Sequence, residues 1–349
     1  MTTRSKKISE TESHMSQTSM SQYVTALAAD APIVAGGFLG EAPAFALTSG
    51  EVVIFDGESP RKVAAHPDAA VLIGQSDHTK LVTGGDDGRL VATYADGRME
   101  LLADEKGRWI DALALRDGAV AWAAGKQVRA RDAKGEVKSH VAPSSARGLC
   151  FMPKGYRLAL SHYNGVSLWF PNMAAEPETF KWAGSHLDVT VSVDGKFIVS
   201  AMQENALHGW RVQDHKDMRM TGYPSKTRSF SWSGDGDWLA TSGAEACIIW
   251  PFQSKDGPMG KGPRECGVRP AKVTRVAFHP KSLVVAIGYD DGWVLICRVT
   301  DSAEILVRHT SESDARDRAI SVLAWSADGG RLVFGAEDGA AGVLDVPGA

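Results

Sequence analysis

Eight stretches of this chain share one grammar, and that repetition constrains the fold more than any composition figure does. The clearest copy is 272–300, KVTRVAFHPKSLVVAIGYDDGWVLICRVT. Its three short runs, 273–278, 283–288 and 293–299, are rich in Val, Ile and aromatic residues, and His279-Pro280 and Tyr289-Asp290-Asp291-Gly292 separate them. Apolar runs of this length bounded by Gly, Pro and Asp read as strand, turn, strand. A unit so small cannot bury a hydrophobic face alone, so it needs neighbours of its own kind. They are present as AISVLAWSADGGRLVFGAEDGAAGVLDV (319–346), TRSFSWSGDGDWLATSGAEACIIW (227–250), LDVTVSVDGKFIVSAMQENALHGW (187–210) and ARGLCFMPKGYRLALSHYNGVSLW (146–169). More divergent copies stand at 109–132, 69–94 and 33–56.

The third runs end at Phe55, Tyr94, Arg131, Trp169, Trp210, Trp250, Cys297 and Leu344, roughly 37–47 residues apart. That is the period of propeller blades, and the strand-turn texture excludes the helical solenoids of similar period. With Gly184-Ser185-His186, the tryptophans Trp169, Trp210 and Trp250, and three Ser-x-Asp-Gly turns at 192–195, 233–236 and 326–329, the chain resembles a WD40-repeat β-propeller. It departs from the family pattern where Phe170, Arg211 and Pro251, rather than Asp, follow those tryptophans, and in lacking a true Gly-His pair. The resemblance implies an all-β fold over 23–349, one closed propeller of four-stranded blades, behind a disordered tail at 1–22. Eight units favour eight blades; seven follow if the divergent first unit is not a full blade. Segments 61–65, 99–103, 136–140, 178–182, 218–222 and 305–309 suit the outer strands. Residues 22–28 are expected to pair onto the last unit and close the ring, which removes exposed sheet edges.

The resemblance also implies buried hydrogen-bonded sets of His, Ser or Thr, Asp or Asn, and Trp. Those that match are His140, Ser161, Asn164 and Trp169; His186, Ser200, Asn205 and Trp210; and His66, Thr83 and Asp86, with Tyr94 at the tryptophan place. Their role is structural, since a buried polar group without a partner costs about 1–3 kcal/mol. No G-x-S-x-G motif accompanies them to suggest a hydrolase triad. Phe151, Trp232, Phe278 and Trp325 share one first-strand position and read as core between blades.

A net charge of −4 and a pI near 6.2 exclude a global field for nucleic acid or anionic membrane. Cys150, Cys247, Cys266 and Cys297 are far apart with no C-x-x-C pair, which reads as reduced thiols. The histidines lack metal-ligand spacing, and neither metal nor other cofactor is expected. GPMGKG at 257–262 lacks the Ser or Thr that a phosphate loop needs after Lys261. Asp235 and Asp237 form too short an acidic run for a calcium loop. Arg4, Lys6 and Lys7 are not followed by an apolar run, and Asp30, Pro32, Gly36 and Gly37 interrupt 24–39. Neither a secretory signal nor a spanning helix is expected, and a cytoplasmic protein is.

The function implied is a non-catalytic scaffold or adaptor binding one or more proteins, without a small-molecule substrate. The alternative is a propeller enzyme of the metal- or carboxylate-dependent hydrolase or lactonase type, with its site in the central channel. Convergent His, Asp or Glu in that channel would favour the enzyme, and small apolar residues the scaffold. A face concentrating Lys and Arg would favour nucleic acid. The candidate interaction surface combines the Gly/Pro-rich loop 253–271, carrying Lys255, Lys261 and Arg264, with Trp182 and Trp293. The mixed-charge segment 310–318 reads as a solvated hairpin.

Overall fold

The Ser-x-Asp-Gly turns show why the repeats fold back where they do. In the computed structural model the Ser192 hydroxyl donates to the Asp194 carboxylate (2.7 Å) and accepts the Phe197 N–H (2.9 Å). Asp194 also accepts the Lys196 N–H, while Gly195 takes φ +76°, a conformation that a Cβ strains. Ser233 and Ser326 repeat the device, bonding to Asp235 and Asp328 and to the N–H groups of Trp238 and Arg331. Each turn joins the first strand of a repeat to its second.

The structure describes residues 18–57, 59–311 and 318–348. Most of the expected tail and the centre of the 310–318 segment lie outside the described residues. The only helical element described is a three-residue turn, Ser21–Tyr23. No described helix is long and apolar enough to cross a membrane.

The strands form seven antiparallel sheets. Six have four strands, at 33–64, 71–104, 112–141, 230–266, 273–308 and 320–345, the last completed by 24–28. The seventh, at 148–220, has six strands. The expectation of eight separate blades is thus corrected to a seven-bladed arrangement. The physical reason lies in the fourth and fifth repeats, where no turn sequence interrupts Glu178–Val191. Its first half pairs with the fourth repeat (Leu168↔Glu178), and its second half with the fifth (Val191↔Ile198). Gly165 and Gly184, at φ +146° and +121°, let the backbone bend beside this join. A Cβ at Gly165 would lie 2.2 Å from the Phe180 carbonyl oxygen, so the bend admits glycine alone.

Val24–Ala28 pairs with Ala340–Asp345, from Val24↔Leu344 to Ala28↔Ala340. Next to that seam, Ile33, Phe38 and Phe45 of the first sheet pack with Val322, Val333 and Val343 of the last. The first-strand aromatics sit between repeats, with Phe151, Phe278 and Trp325 buried. The half-buried Trp232 donates its indole N–H to Thr190, and Trp325 donates to the Ala277 carbonyl, each at 3.0 Å.

Because every sheet is an antiparallel meander, its connections alternate between the two ends of the strands. One end, the upper face, carries the links into each first strand and the links between second and third strands. The lower face carries the rest. This alternation decides which candidate residues can meet.

Candidate interaction surface

The second repeat assembles a buried set. His66, fully buried, faces Thr83 through Nε2 (2.9 Å) and a carboxylate through Nδ1 (3.1 Å). That carboxylate belongs to Asp87; Asp86 instead accepts the Ala70 N–H at 2.9 Å. The residue named from the sequence is therefore corrected by one position. Both acids lie on the same turn, and only the second side chain points inward. Tyr94 is outside the set, donating its hydroxyl to Glu100 at 2.9 Å.

In the fifth repeat His186 Nδ1 lies 2.7 Å from the Ser200 hydroxyl, which donates to the His208 carbonyl. His186 Nε2 donates to the Trp182 carbonyl at 3.0 Å, and burial holds this imidazole below its usual range. Trp210 packs against the ring at 5.7 Å. Asn205 departs from the expected set, because its amide donates to the Pro224 carbonyl.

The fourth set does not assemble, which corrects that expectation. His140 stacks on Trp169 at 5.5 Å, but the buried Ser161 hydroxyl finds no partner among the described residues. Asn164, at φ +67°, accepts the Gly184 N–H instead. The hydrogen-bonding histidine here is His162, 2.8 Å from Ser167.

Two sets carry no histidine and escaped the sequence reading. Tyr223 takes the histidine's part in the sixth repeat: its hydroxyl lies 2.7 Å from Thr241 and accepts the Trp250 indole N–H at 2.7 Å. Spacing gave the signal, since Tyr223 precedes Thr241 by 18 residues, much as His66 precedes Thr83 by 17 in the second repeat. In the third repeat the buried Glu105 accepts from Trp122 and Arg129, which face each other across the second and third strands. Burial would raise this carboxyl, but Arg129 and Trp122 hold it below its ordinary value.

The proposed contact residues divide between the faces. Lys255 and Lys261 are exposed on the lower face, in the link from the third strand to the fourth of the sheet at 230–266. The loop is pinned there: Asp256 meets Arg211 and Lys216 at 3.0 Å each, and the Lys255 carbonyl accepts from Arg211 at 2.8 Å. Its far end becomes the outer strand Arg264–Cys266. Arg264 lies over Trp238 (4.7 Å) and donates to the Val299 carbonyl (2.8 Å), tying two sheets together.

Trp182 and Trp293 stand at the upper end. Trp293, half-buried, is covered by Arg269 (4.2 Å), whose guanidinium is held by Asp291 at 2.7 Å. Trp182 stacks on His208 at 3.9 Å and, with Tyr163, Pro143 and His162, lines a cavity of about 790 Å³. The lysines and tryptophans thus form no common surface. Among the described residues the four most exposed large apolar side chains, Val268 (65%), Trp109 (63%), Val141 (60%) and Tyr163 (60%), all belong to upper-face links or strand ends.

Inside, Val34, Gly36, Leu72, Gly74, Leu323, Ser321 and Arg275 line a cavity of about 390 Å³ where first strands converge. Arg275 donates to the carbonyls of Ser321 (2.7 Å) and Thr274 (3.0 Å). Burial pushes the Asp188 carboxyl up to about 6, with Arg275 opposing, and pushes the Cys150 thiol up to about 11. Among the described residues no three His, Cys, Asp or Glu side chains are grouped to hold a metal.

Comparisons with known proteins follow this geometry. Residues 276–349 match the WD40 domain of anaphase-promoting complex subunit 4. No curated protein matches the chain. The crystal structure of the computationally designed Ika8 protein is similar in fold, with a TM-score of 0.74 at 17% identity over 91% of this chain and 98% of that one. Residues 276–349 thus carry the match to a WD40 domain, and the seven sheets are arranged as in a β-propeller.

Proposed function

We propose that the chain is a non-catalytic scaffold that binds another protein on its upper face, with the sheets closed into a ring. One observation carries this reading. Among the described residues, the four most exposed large apolar side chains, Val268, Trp109, Val141 and Tyr163, all stand at that end. Tryptophan and tyrosine are the side chains most enriched among binding hot spots. The small and apolar lining around Arg275 supports a structural interior rather than a catalytic one, and the packing of Ile33 and Phe45 against Val322 and Val343 supports closure.

The test is affinity capture by the full chain from its native cell, read by quantitative mass spectrometry. A protein recovered reproducibly by the parent chain should fall about tenfold or more with Trp109→Ala plus Tyr163→Ala, the loss of at least one hot spot. Unchanged recovery, or no reproducible protein, overturns the reading.

A further inference from the structure

On the upper face, between the sixth and seventh repeats, lies a polar pocket of about 380 Å³ whose charge opposes that of the chain as a whole. Lys226, Arg228 and Lys272 border it, with Asn205, Ser242 and Asp290 among the other lining residues. Its backbone is fixed by side chains. The Arg228 N–H donates to the Ser242 hydroxyl (3.0 Å), the Lys272 N–H to the Asp290 carboxylate (3.0 Å), and the Asn205 amide to the Pro224 carbonyl (3.3 Å). The three cationic ends are different, for none has an ion-pair or hydrogen-bond partner among the described residues. Several cations elsewhere on this face are matched, Arg147 to Asp111, Arg108 to Glu105 and Arg269 to Asp291, and the exposed Lys126 and Lys181 stand singly rather than around a shared pocket.

Three unmatched cations around one concave, backbone-fixed pocket suit a ligand of more than one negative charge. A single carboxylate would leave at least one cation beyond the existing Asp290 uncompensated. A phosphate monoester carries about −1.5 to −2 charges at neutral pH and three acceptor oxygens, two of which a guanidinium takes in parallel. The pocket is also near the small end of the range for ligand sites, about 300–1,000 Å³, which fits one side chain better than an extended molecule. We propose that it binds the phosphate group of a phosphorylated side chain on a partner protein. The proposal rests on the protein-binding reading above and assigns it one contact of stated chemistry.

The probes are N-acetyl-phosphoserine amide, inorganic phosphate and N-acetyl-glutamate amide, titrated into the full chain and followed by calorimetry and NMR. The phosphoserine probe should bind most tightly, compete with inorganic phosphate and weaken with added salt. Arg228→Ala or Lys226→Ala should weaken it about tenfold, the loss of one charge-assisted contact. The exposed Lys272→Gln gives a variant of least risk to folding, and circular dichroism checks each. Equal binding of glutamate overturns the phosphate assignment, and inorganic phosphate binding as tightly as the probe overturns the side-chain source. Binding that is absent, or indifferent to all three substitutions, overturns the site. If this site fails while capture through Trp109 and Tyr163 survives, only the pocket falls; the converse result removes the scaffold reading and leaves the pocket.

Discussion

His66 and His208 are both fully buried, and they are held in opposite ways. His66 has a partner at each nitrogen, Thr83 and Asp87. His208 has no hydrogen bond at either; Asp217 lies 3.4 Å from Nε2 but outside hydrogen-bond alignment. Its support is aromatic, with Trp182 stacked at 3.9 Å and Trp210 edge-on at 4.8 Å. One histidine is thus retained by polarity and the other by shape. Burial type alone therefore does not say what a buried imidazole contributes; its contacts do.

Substituting the same ring for both should break the comparison most sharply. His66→Phe should cost about 4 kcal/mol in urea unfolding, because Thr83 and Asp87 lose their partner and the larger ring overpacks the site. His208→Phe keeps the stack, loses no hydrogen bond and should fall within about 1 kcal/mol of the parent. Equal costs would refute the distinction.

Acid should separate the two next. Burial pushes His208 from 6.5 down to about 4. A folded-state value below the unfolded one means that the native state binds fewer protons. The stability linked to this group is therefore complete above about pH 6.5 and is lost as pH falls toward about 4. The loss is roughly 3 kcal/mol across that window. Stability curves of parent and His208→Phe should therefore separate across that window, the variant becoming the more stable, and parallel curves would sink the idea.

The serines extend the contrast at smaller scale. Ser200→Ala removes a hydroxyl bonded to His186 and should cost about 1.5 kcal/mol. Ser161→Ala removes one without a partner and should change stability by less than about 0.5 kcal/mol, or raise it. Thermal or urea midpoints measure both, and a larger loss at Ser161 would mean that its hydroxyl is satisfied in solution.

What could be read in the sequence was local. Ser192, Asp194 and Gly195 make a turn out of neighbouring atoms, so the motif and its hydrogen bonds coincide. Most outer strands were equally legible, because a meander must return before its next repeat, but Arg264–Cys266 lay inside a stretch read as a loop. Asp87 against Asp86 was not, since a turn decides by backbone rotation which adjacent carboxylate faces inward. Tyr223 was missed because a search for histidine overlooks a phenol that reaches the same threonine. The pinning of 253–263 depends on Arg211 and Lys216, about 40 residues earlier, and composition there spoke only of Gly and Pro. The basic loop and Trp293 are near in sequence, yet the three intervening strands, Arg264–Cys266, Val273–Phe278 and Val284–Tyr289, carry them to opposite faces.

The seam at Val24–Ala28 has a kinetic meaning. Every other described strand pair closes over a few residues or a few tens, whereas Val24 meets Leu344 across almost the whole chain, with the nearby Ser19–Leu306 bridge. The entropy of closing such a loop grows only logarithmically, by about 0.6 kcal/mol per doubling, but its contacts come late because both partners must first exist and then meet. The seam strand is also thinly held, alternating between half-buried and exposed residues. It is the place where the last sheet would lose a strand first, and where a strand from a second molecule would most readily exchange with its own.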